Sequence, residues 1–514
     1  MTDIVVVGAG LGGLGTAVLL AAQGHQVVVC EQSGAIGGKL GRYTRDGFAF
    51  DTGPHLLTWP DVWREIFAAT GAPLEELVDI VSVDPAVRYR FPDGTEVDVP
   101  NASRAGVSAA LDTAVGARAG RQWTALLDRA EAMWQVTRGP FLESPLDGAA
   151  TLVKQARRVD HLATVAPWQT LRGLGRATLD DPRLRMMLDR YATYSGSDPR
   201  QAPAVLATVP YLEQTYGAWY LPGGLHRLAE LLVDRAKSLG VEIRLHADVR
   251  TIMVKDVPGP RGWGTTGVRL ADGTKLRSDV VVANADAAHV YHDLLAGPPG
   301  ELGRRRLRRG VPSLSGVVLL LALRGRTSGL RHHTVLFPAD YDDEFDSIFG
   351  VGRHRGVCRP PWDPTVYISA PDDPATRPDD AHEAWFVLVN APRHRPGDPA
   401  QGIDWDLPAL ADRYADRILD VMAARGLDVR DRILWREIRT PADLTRSTRS
   451  PGGSIYGTSS NGARSAFLRP GNTSNVEGLY LVGGSSHPGG GIPLVGLGAR
   501  IVSDLVARDH PSAA

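Results

Sequence analysis

"DIVVVGAGLGGLGTAVLLAAQG", residues 3–24, decides the fold of this chain. Ile4, Val5, Val6 and Val7 form a short apolar run that ends at a glycine, the pattern of a strand buried on both faces. Residues 14–23 are rich in alanine and leucine and predict a helix. Residues 26–30, QVVVC, predict a second strand. Together they form a βαβ unit opening a Rossmann-type sheet. The turn between strand and helix carries Gly8-x-Gly10-x-x-Gly13, with Gly12 inside it. Bare backbone there lets N–H groups approach a pyrophosphate at the helix N-terminus. Glu31 closes the second strand, at the spacing where an acid accepts a hydrogen bond from a ribose hydroxyl. These residues predict dinucleotide binding and argue against the 2′-phosphate of NADP. They leave NAD and FAD open.

The chain closes as it opens. "GLYLVGGSSHPGGGIPLVGLGARIVSDLV", residues 478–506, reads again as strand, glycine turn and helix. The text between changes character. "VRYRFPDGTEVDV", residues 87–99, predicts a hairpin about Pro92-Asp93-Gly94. Residues 104–215 read as largely helical, residues 225–239 as a further helix, and residues 241–254 and 267–286 as strands. Residues 315–323 and 384–391 predict a second sheet, and 404–425 another helix. The polar stretch 371–377 is expected to be an exposed loop. A cofactor domain built from separated pieces follows: 1–86, 216–300 and 451–514. A substrate-sheet hairpin (87–103), a helical cap that faces a membrane (104–215) and a substrate domain (301–450) lie between them.

Bulk composition narrows the class. Lys+Arg 57 against Asp+Glu 58 gives a net charge of -1 over 514 residues, so no global field favours nucleic acid. Two cysteines, Cys30 and Cys358, make no disulfide framework and suit a reducing cytoplasm. The first residues run straight into an apolar strand, with no basic n-region and no small-residue cleavage site of a signal peptide, and no apolar run approaches the ~20 residues that span a bilayer. The expected location is the cytoplasm, peripheral on the inner face of the cell membrane.

"GAIGGKLGRYTRDGFAFDTGPHLLT", residues 34–58, resembles the second signature of two-dinucleotide-binding flavoproteins such as amine oxidases and carotene desaturases. That resemblance implies FAD. It implies that Gly37 and Gly38 lay backbone against the flavin or its diphosphate, with Lys39 where that family often has Arg, and it brings in Gly53 and Pro54. It also explains the second glycine turn: in that superfamily the last turn meets the first across the sheet. Gly483, Gly484, Gly490, Gly491, Ile492 and Pro493 then serve the flavin end, where a helix N-terminus favours negative charge. Val249, in the returning strands, completes the expected cofactor set. The wording "GLYLVGGSSHPGGGIP" (478–493) resembles the bacterial phytoene desaturase family more closely. "WYLPGGLHRLAELL" (219–232), "HHTVLFPADYDDEFDSIF" (332–349) and "WFVLVNAPRH" (385–394) extend the resemblance along most of the chain. Many flavoproteins place Asp in the last turn, where this chain has Gly484, Ser485 and Ser486. "GGSIYG" (452–457) and "FLRPG" (467–471) resemble later-acting desaturases and terminal oxidases. The implied fold is α/β: a discontinuous Rossmann-type FAD domain, a mixed-sheet substrate domain and a helical cap, as in amine oxidases.

The implied activity is FAD-dependent dehydrogenation of a long, apolar, acyclic carotenoid-like polyene. The alternatives are an oxygenase or terminal oxidase on the same substrates, and a flavin-dependent isomerase or carotenoid carrier. An allylic C–H is not acidic, so the reaction needs an electron sink and few catalytic side chains. His55 is the candidate base or orienting group, or else a loop histidine bonded to backbone. His487 positions the terminal turn or touches substrate. Trp219 and Tyr220 wall the flavin face or belong to the core, and Asp51 caps a turn. No close HxxxH or CxxC pair supports a metal. Residues 151–174, "TLVKQARRVDHLATVAPWQTLRGL", set Leu152, Ala156, Val159, Ala163 and Ala166 against Lys154, Arg157, Arg158 and His161. They read as an interfacial helix with Trp168 at the headgroup level, or as a surface helix on its own core. The arginines of 304–309 either add affinity for anionic lipid or form a solvated face.

Overall fold

The computed structural model describes residues 2–146, 159–259, 261–462, 465 and 469–511. The opening stretch folds as its pattern dictates: strand Asp3–Val7, helix Leu11–Ala22 and strand Gln26–Cys30. These strands belong to a five-stranded parallel sheet. Its order is Glu242–Arg244, Gln26–Cys30, Asp3–Val7, Val280–Ala283 and Leu479–Leu481. Three distant parts of the chain therefore build one sheet. Ile4, Val6, Val29 and all of Val280–Ala283 are essentially inaccessible, as central parallel strands must be. The terminal helix Ile492–Asp509 packs on the first helix, where a Cβ on Gly15 would lie 3.2 Å from that of Ala499.

A seven-stranded mixed sheet stands apart. Its order is Ile433–Arg439, Ser315–Arg324, His382–Ala391, Val366–Ser369, His333–Leu336, Val87–Arg90 and Glu96–Val99. One neighbouring pair is parallel, His333–Leu336 with Val87–Arg90; the others are antiparallel. The hairpin of residues 87–99 thus joins this sheet. Buried residues of helices Arg104–Ala114, Ala119–Thr137, Pro182–Arg190 and Thr208–Tyr216 share one core with Val87, Tyr89, Val97, Val99 and Val335 of this sheet. Helix Leu410–Ala424 is shorter than expected at its start, because residues 404–409 form turns.

One expectation fails. The stretch 371–377 is not an exposed loop throughout: Asp373, Thr376 and Arg377 are buried. Its polarity is satisfied internally, since Asp373 accepts hydrogen bonds from the Tyr220 hydroxyl at 2.8 Å and the Gly223 N–H at 2.6 Å. Composition marks a turn but does not say what the turn folds against. Among the described residues no helix is long and apolar enough to cross a membrane. Residues 151–158 of the expected interfacial helix lie outside the described residues, as do Phe467 and Leu468. Helix Val159–Val165 follows them, and Trp168 beyond it is 72% exposed.

Candidate active site

The two glycine turns meet. Asn284, just past strand Val280–Ala283, fills the angle between them and donates to the Val482 carbonyl at 3.2 Å. A Cβ on Gly10 would lie 2.7 Å from Asn284 Oδ1, and one on Gly483 would lie 2.7 Å from its Nδ2. Gly8, Gly12 and Gly13 crowd the same side chain or its carbonyl, and Gly12 also faces Val482 and Val495. The second signature closes on the first: the Gly37 N–H donates to the Ala9 carbonyl at 2.8 Å. A Cβ on Gly38 would come within 3.3 Å of the Gly10 Cα, and Gly38 sits at φ +60°. Only glycine fits a contact between two backbones this close at a positive φ.

Each charged group around these turns keeps hydrogen-bonding capacity in hand. Glu31 is buried; Oε2 accepts from the Ala9 N–H at 2.8 Å, and Oε1 accepts from the Ser33 N–H and Oγ. A carboxylate offers about four acceptor positions, so one remains for a ribose hydroxyl. Lys39 Nζ donates to the carbonyls of Ser454 at 3.1 Å and Ile455 at 2.6 Å, two of its three donors. Burial pulls its ammonium below the ordinary lysine range, opposed by Asp286. Asp286 Oδ1 caps Ala288, while Oδ2 is buried with no hydrogen-bond partner. Arg469 ties the last turn together through the carbonyls of Tyr456, Gly484 and Thr458, and burial lowers it to about 10. Gly484 and Gly490 fold against one another, with Tyr456 beneath Gly490. Gly491 begins the 18-residue helix that has Ile492 and Pro493 in its first turn, and a Cβ on Gly491 would meet nothing within 4 Å. Bare backbone, spare donors and acceptors, an orphaned carboxylate oxygen and an open helix N-terminus fit FAD. Val249 is buried on the strand two residues past Ala247, whose N–H meets the Glu31 carbonyl at 2.8 Å.

The expected catalytic residues divide. A Cβ on Gly53 would lie 1.9 Å from the Lys39 carbonyl oxygen, so the loop bearing exposed Pro54 and buried His55 lies hard against the second signature. His55 Nδ1 meets the Gly53 carbonyl at 2.8 Å. A carbonyl only accepts, so Nδ1 carries the proton and Nε2 keeps a lone pair. Burial, opposed by the Gly53 bond, lowers His55 to about 3, so the ring is neutral. His55 packs on Phe386 at 3.9 Å between ring centres. Tyr220 shares a small cavity with His55, Asp51, Arg42 and Phe386. Trp219, its neighbour on strand Ala218–Tyr220, spends its N–H on the Tyr216 carbonyl at 2.6 Å. His487 is buried, with Nε2 on the Ser144 carbonyl at 2.9 Å and its own carbonyl on Asn472, so the structure gives it a place in the turn's scaffold. Asp51 caps the turn before the helix Arg227–Ser238, accepting from the N–H groups of Leu225 and His226. Arg304, Arg305 and Arg308 all pair with Glu301.

Sequence reasoning missed Asn284, Asp286, Tyr456, Arg469 and Asp373. A legible signal existed for the first two: "VVVANAD" at 280–286 ends a buried strand much as the opening motif does. Among the described residues His394, Asp404 and Asp406 bring possible metal ligands together. His394 Nδ1 already accepts from the Trp405 N–H, which commits the proton to Nε2 and leaves no free lone pair.

Comparison with known proteins agrees with this geometry. The profile described as "Flavin containing amine oxidoreductase" matches residues 11–503. A 4,4'-diapolycopene oxygenase from Methylomonas sp is 33% identical, with 98% of both chains covered. A hydroxyneurosporene desaturase from Rubrivivax gelatinosus is 33% identical over 98% of this chain and 93% of its own. A 4,4'-diaponeurosporene oxygenase from Staphylococcus aureus (strain MSSA476) is 30% identical over 98% and 97%. Among solved structures, wild-type putrescine oxidase bound to putrescine superposes with a TM-score of 0.65 at 16% identity, covering 99% of each chain, which speaks for the fold alone. The chain belongs to the carotenoid desaturase and oxygenase family of FAD-dependent, amine-oxidase-like oxidoreductases.

Proposed function

We propose that this enzyme desaturates a long, acyclic, carotenoid-like polyene. The observation that carries the proposal is a neutral histidine, His55, packed on Phe386 at the wall of a buried cavity, backed by a full-length relationship to polyene enzymes. Bound FAD supplies the hydride acceptor. The polyene left by hydride loss from an allylic carbon is a delocalised cation, and it sheds a proton from the adjacent carbon to give the new double bond. A weak base suffices for so acidic a cation. His55 Nε2 takes that proton, held in position by the Nδ1–H bond to Gly53. Phe48, Phe50, Phe386 and part-buried Trp435 form one apolar cluster on the substrate sheet. They keep water from the cation, and proton loss then prevails over capture as a hydroxyl. Both cysteines are buried, with burial raising their thiols, and neither is suited to nucleophilic chemistry.

The substrate is stored in lipid, so the enzyme works at the cytoplasmic face of the membrane. Exposed Trp168 supports this placement, at the end of the segment with an amphipathic pattern. Anaerobic mixing of the FAD-loaded protein with acyclic carotenoids in vesicles tests the proposal. It predicts flavin bleaching and a product lighter by two hydrogens. A product heavier by oxygen, formed only in air, would instead support the oxygenase alternative; no change in mass would support an isomerase or carrier.

A further inference from the structure

A second polar centre lies in the buried interior among Tyr89, Tyr194 and Tyr367. Arg190 ends the helix Pro182–Arg190 and is 9% exposed. Its guanidinium stands 5.8 Å from the Tyr89 ring centre, 5.1 Å from Tyr194 and 5.8 Å from Tyr367. It donates to the Tyr194 hydroxyl at 3.0 Å, and that hydroxyl in turn reaches Glu213 Oε2 at 3.3 Å. Among the described residues its link to a carboxylate runs through that hydroxyl rather than by a direct ion pair. Five N–H donors in a planar fork serve a ligand with acceptor oxygens. His333 supplies an independent sign. It is 2% exposed; Nδ1 meets the Tyr367 hydroxyl at 2.8 Å, and Nε2 is buried with no partner. Glu213 reaches the guanidinium only through the Tyr194 hydroxyl, and burial raises its carboxyl. The cage is continuous with the reaction wall, for Tyr367 packs on Phe386, and Phe386 on His55.

A hydrocarbon needs none of this. A guanidinium with no carboxylate in direct contact also repels a polyenyl cation, so the part of the substrate lying here should be electron-rich. We infer that Arg190, within the rings of Tyr89, Tyr194 and Tyr367 and beside His333, binds the oxidised end of a linear polyene through aldehyde or carboxylate oxygens. The inference rests on the polyene reading of the active site.

The test uses FAD-loaded enzyme and one polyene length with four ends: methyl, primary alcohol, aldehyde and carboxylate. Binding is read from the shift of polyene absorption, and turnover from anaerobic flavin reduction. Wild type is expected to bind the aldehyde or carboxylate roughly 10- to 100-fold more tightly than the methyl end, as a charge-assisted hydrogen bond allows. Arg190→Gln removes that preference, and Arg190→Lys keeps part of it. A merely structural arginine would lower binding of all four ends alike. Wild-type binding without preference for an oxygenated end, or an equal loss on all ends in Arg190→Gln, overturns the inference. If Arg190→Gln does not load FAD, Arg190→Lys and the wild-type preference decide. End-dependent binding with no flavin reduction by any polyene overturns the desaturase reading and leaves this subsite standing.

Discussion

At the scale of single residues, His55 and Lys39 separate chemistry from cofactor retention. A base positioned for proton transfer contributes roughly 10²- to 10⁴-fold. His55→Phe should therefore slow formation of the desaturated product by at least about 100-fold with FAD content unchanged; an unchanged rate of product formation would remove His55 from the reaction. The His55 ring, held near 3 by burial, stays neutral from pH 5 to 8. The rate of product formation should then show no histidine limb near 6.5 in that range, and a pH–rate profile checks this. Lys39→Met breaks two bonds from the ammonium to the carbonyls of Ser454 and Ile455. Losing charge-assisted bonds of this kind costs about 1.5–3 kcal/mol each, and the variant should lose FAD on gel filtration. Glu31 and Lys39 were legible because they stand at fixed offsets within local motifs. Asp373, Arg190 and Glu213 were not, because their meaning comes from partners far along the chain. Tyr220 reaches Asp373 across 153 positions.

Among the elements, the start of helix Arg227–Ser238 depends on an acid from another strand. Asp51, at the end of strand Phe48–Asp51, accepts from Leu225 and His226, and burial raises its carboxyl to about 6 despite those bonds. Its native-state pKa lies above its ordinary 3.8, so the folded protein binds more protons between those values. The stability owed to this group is fully present below about pH 4 and is lost as pH rises through 6, an effect of roughly 3 kcal/mol. Asp51→Asn keeps an acceptor for the cap and should flatten this part of the stability–pH curve in urea titrations. Asp51→Ala loses the cap as well as the titrating group, so its cost should be about 3 kcal/mol larger at pH 4 than at pH 8. Helix and strand types were read correctly where the pattern was long, as in Ser315–Arg324. The polar stretch 371–377 misled because turn composition records local shape, and burial depends on what the turn packs against.

For the molecule as a whole, the parallel sheet takes strands from residues 3–30, 242–283 and 479–481. A chain ending at residue 477 would lack its last strand, the second glycine turn and the helix that packs on the first. Such a truncation should yield protein without bound flavin, read from its visible spectrum. The two glycine turns foretold their own meeting, while the seven-stranded order required the structure, since its strands come from residues 87 to 439 and pair out of sequence. Vesicle flotation tests the membrane placement: Trp168→Ala should lower the bound fraction severalfold, and equal flotation would leave this tryptophan without a lipid role. Split authorship of the sheet also sets a timetable. A ribosome delivers Leu479–Leu481 after every other strand of the two sheets. Until then the nascent enzyme exposes an unfinished sheet edge beside Val280–Ala283, and the flavin cradle exists only once Leu479–Leu481 has docked there.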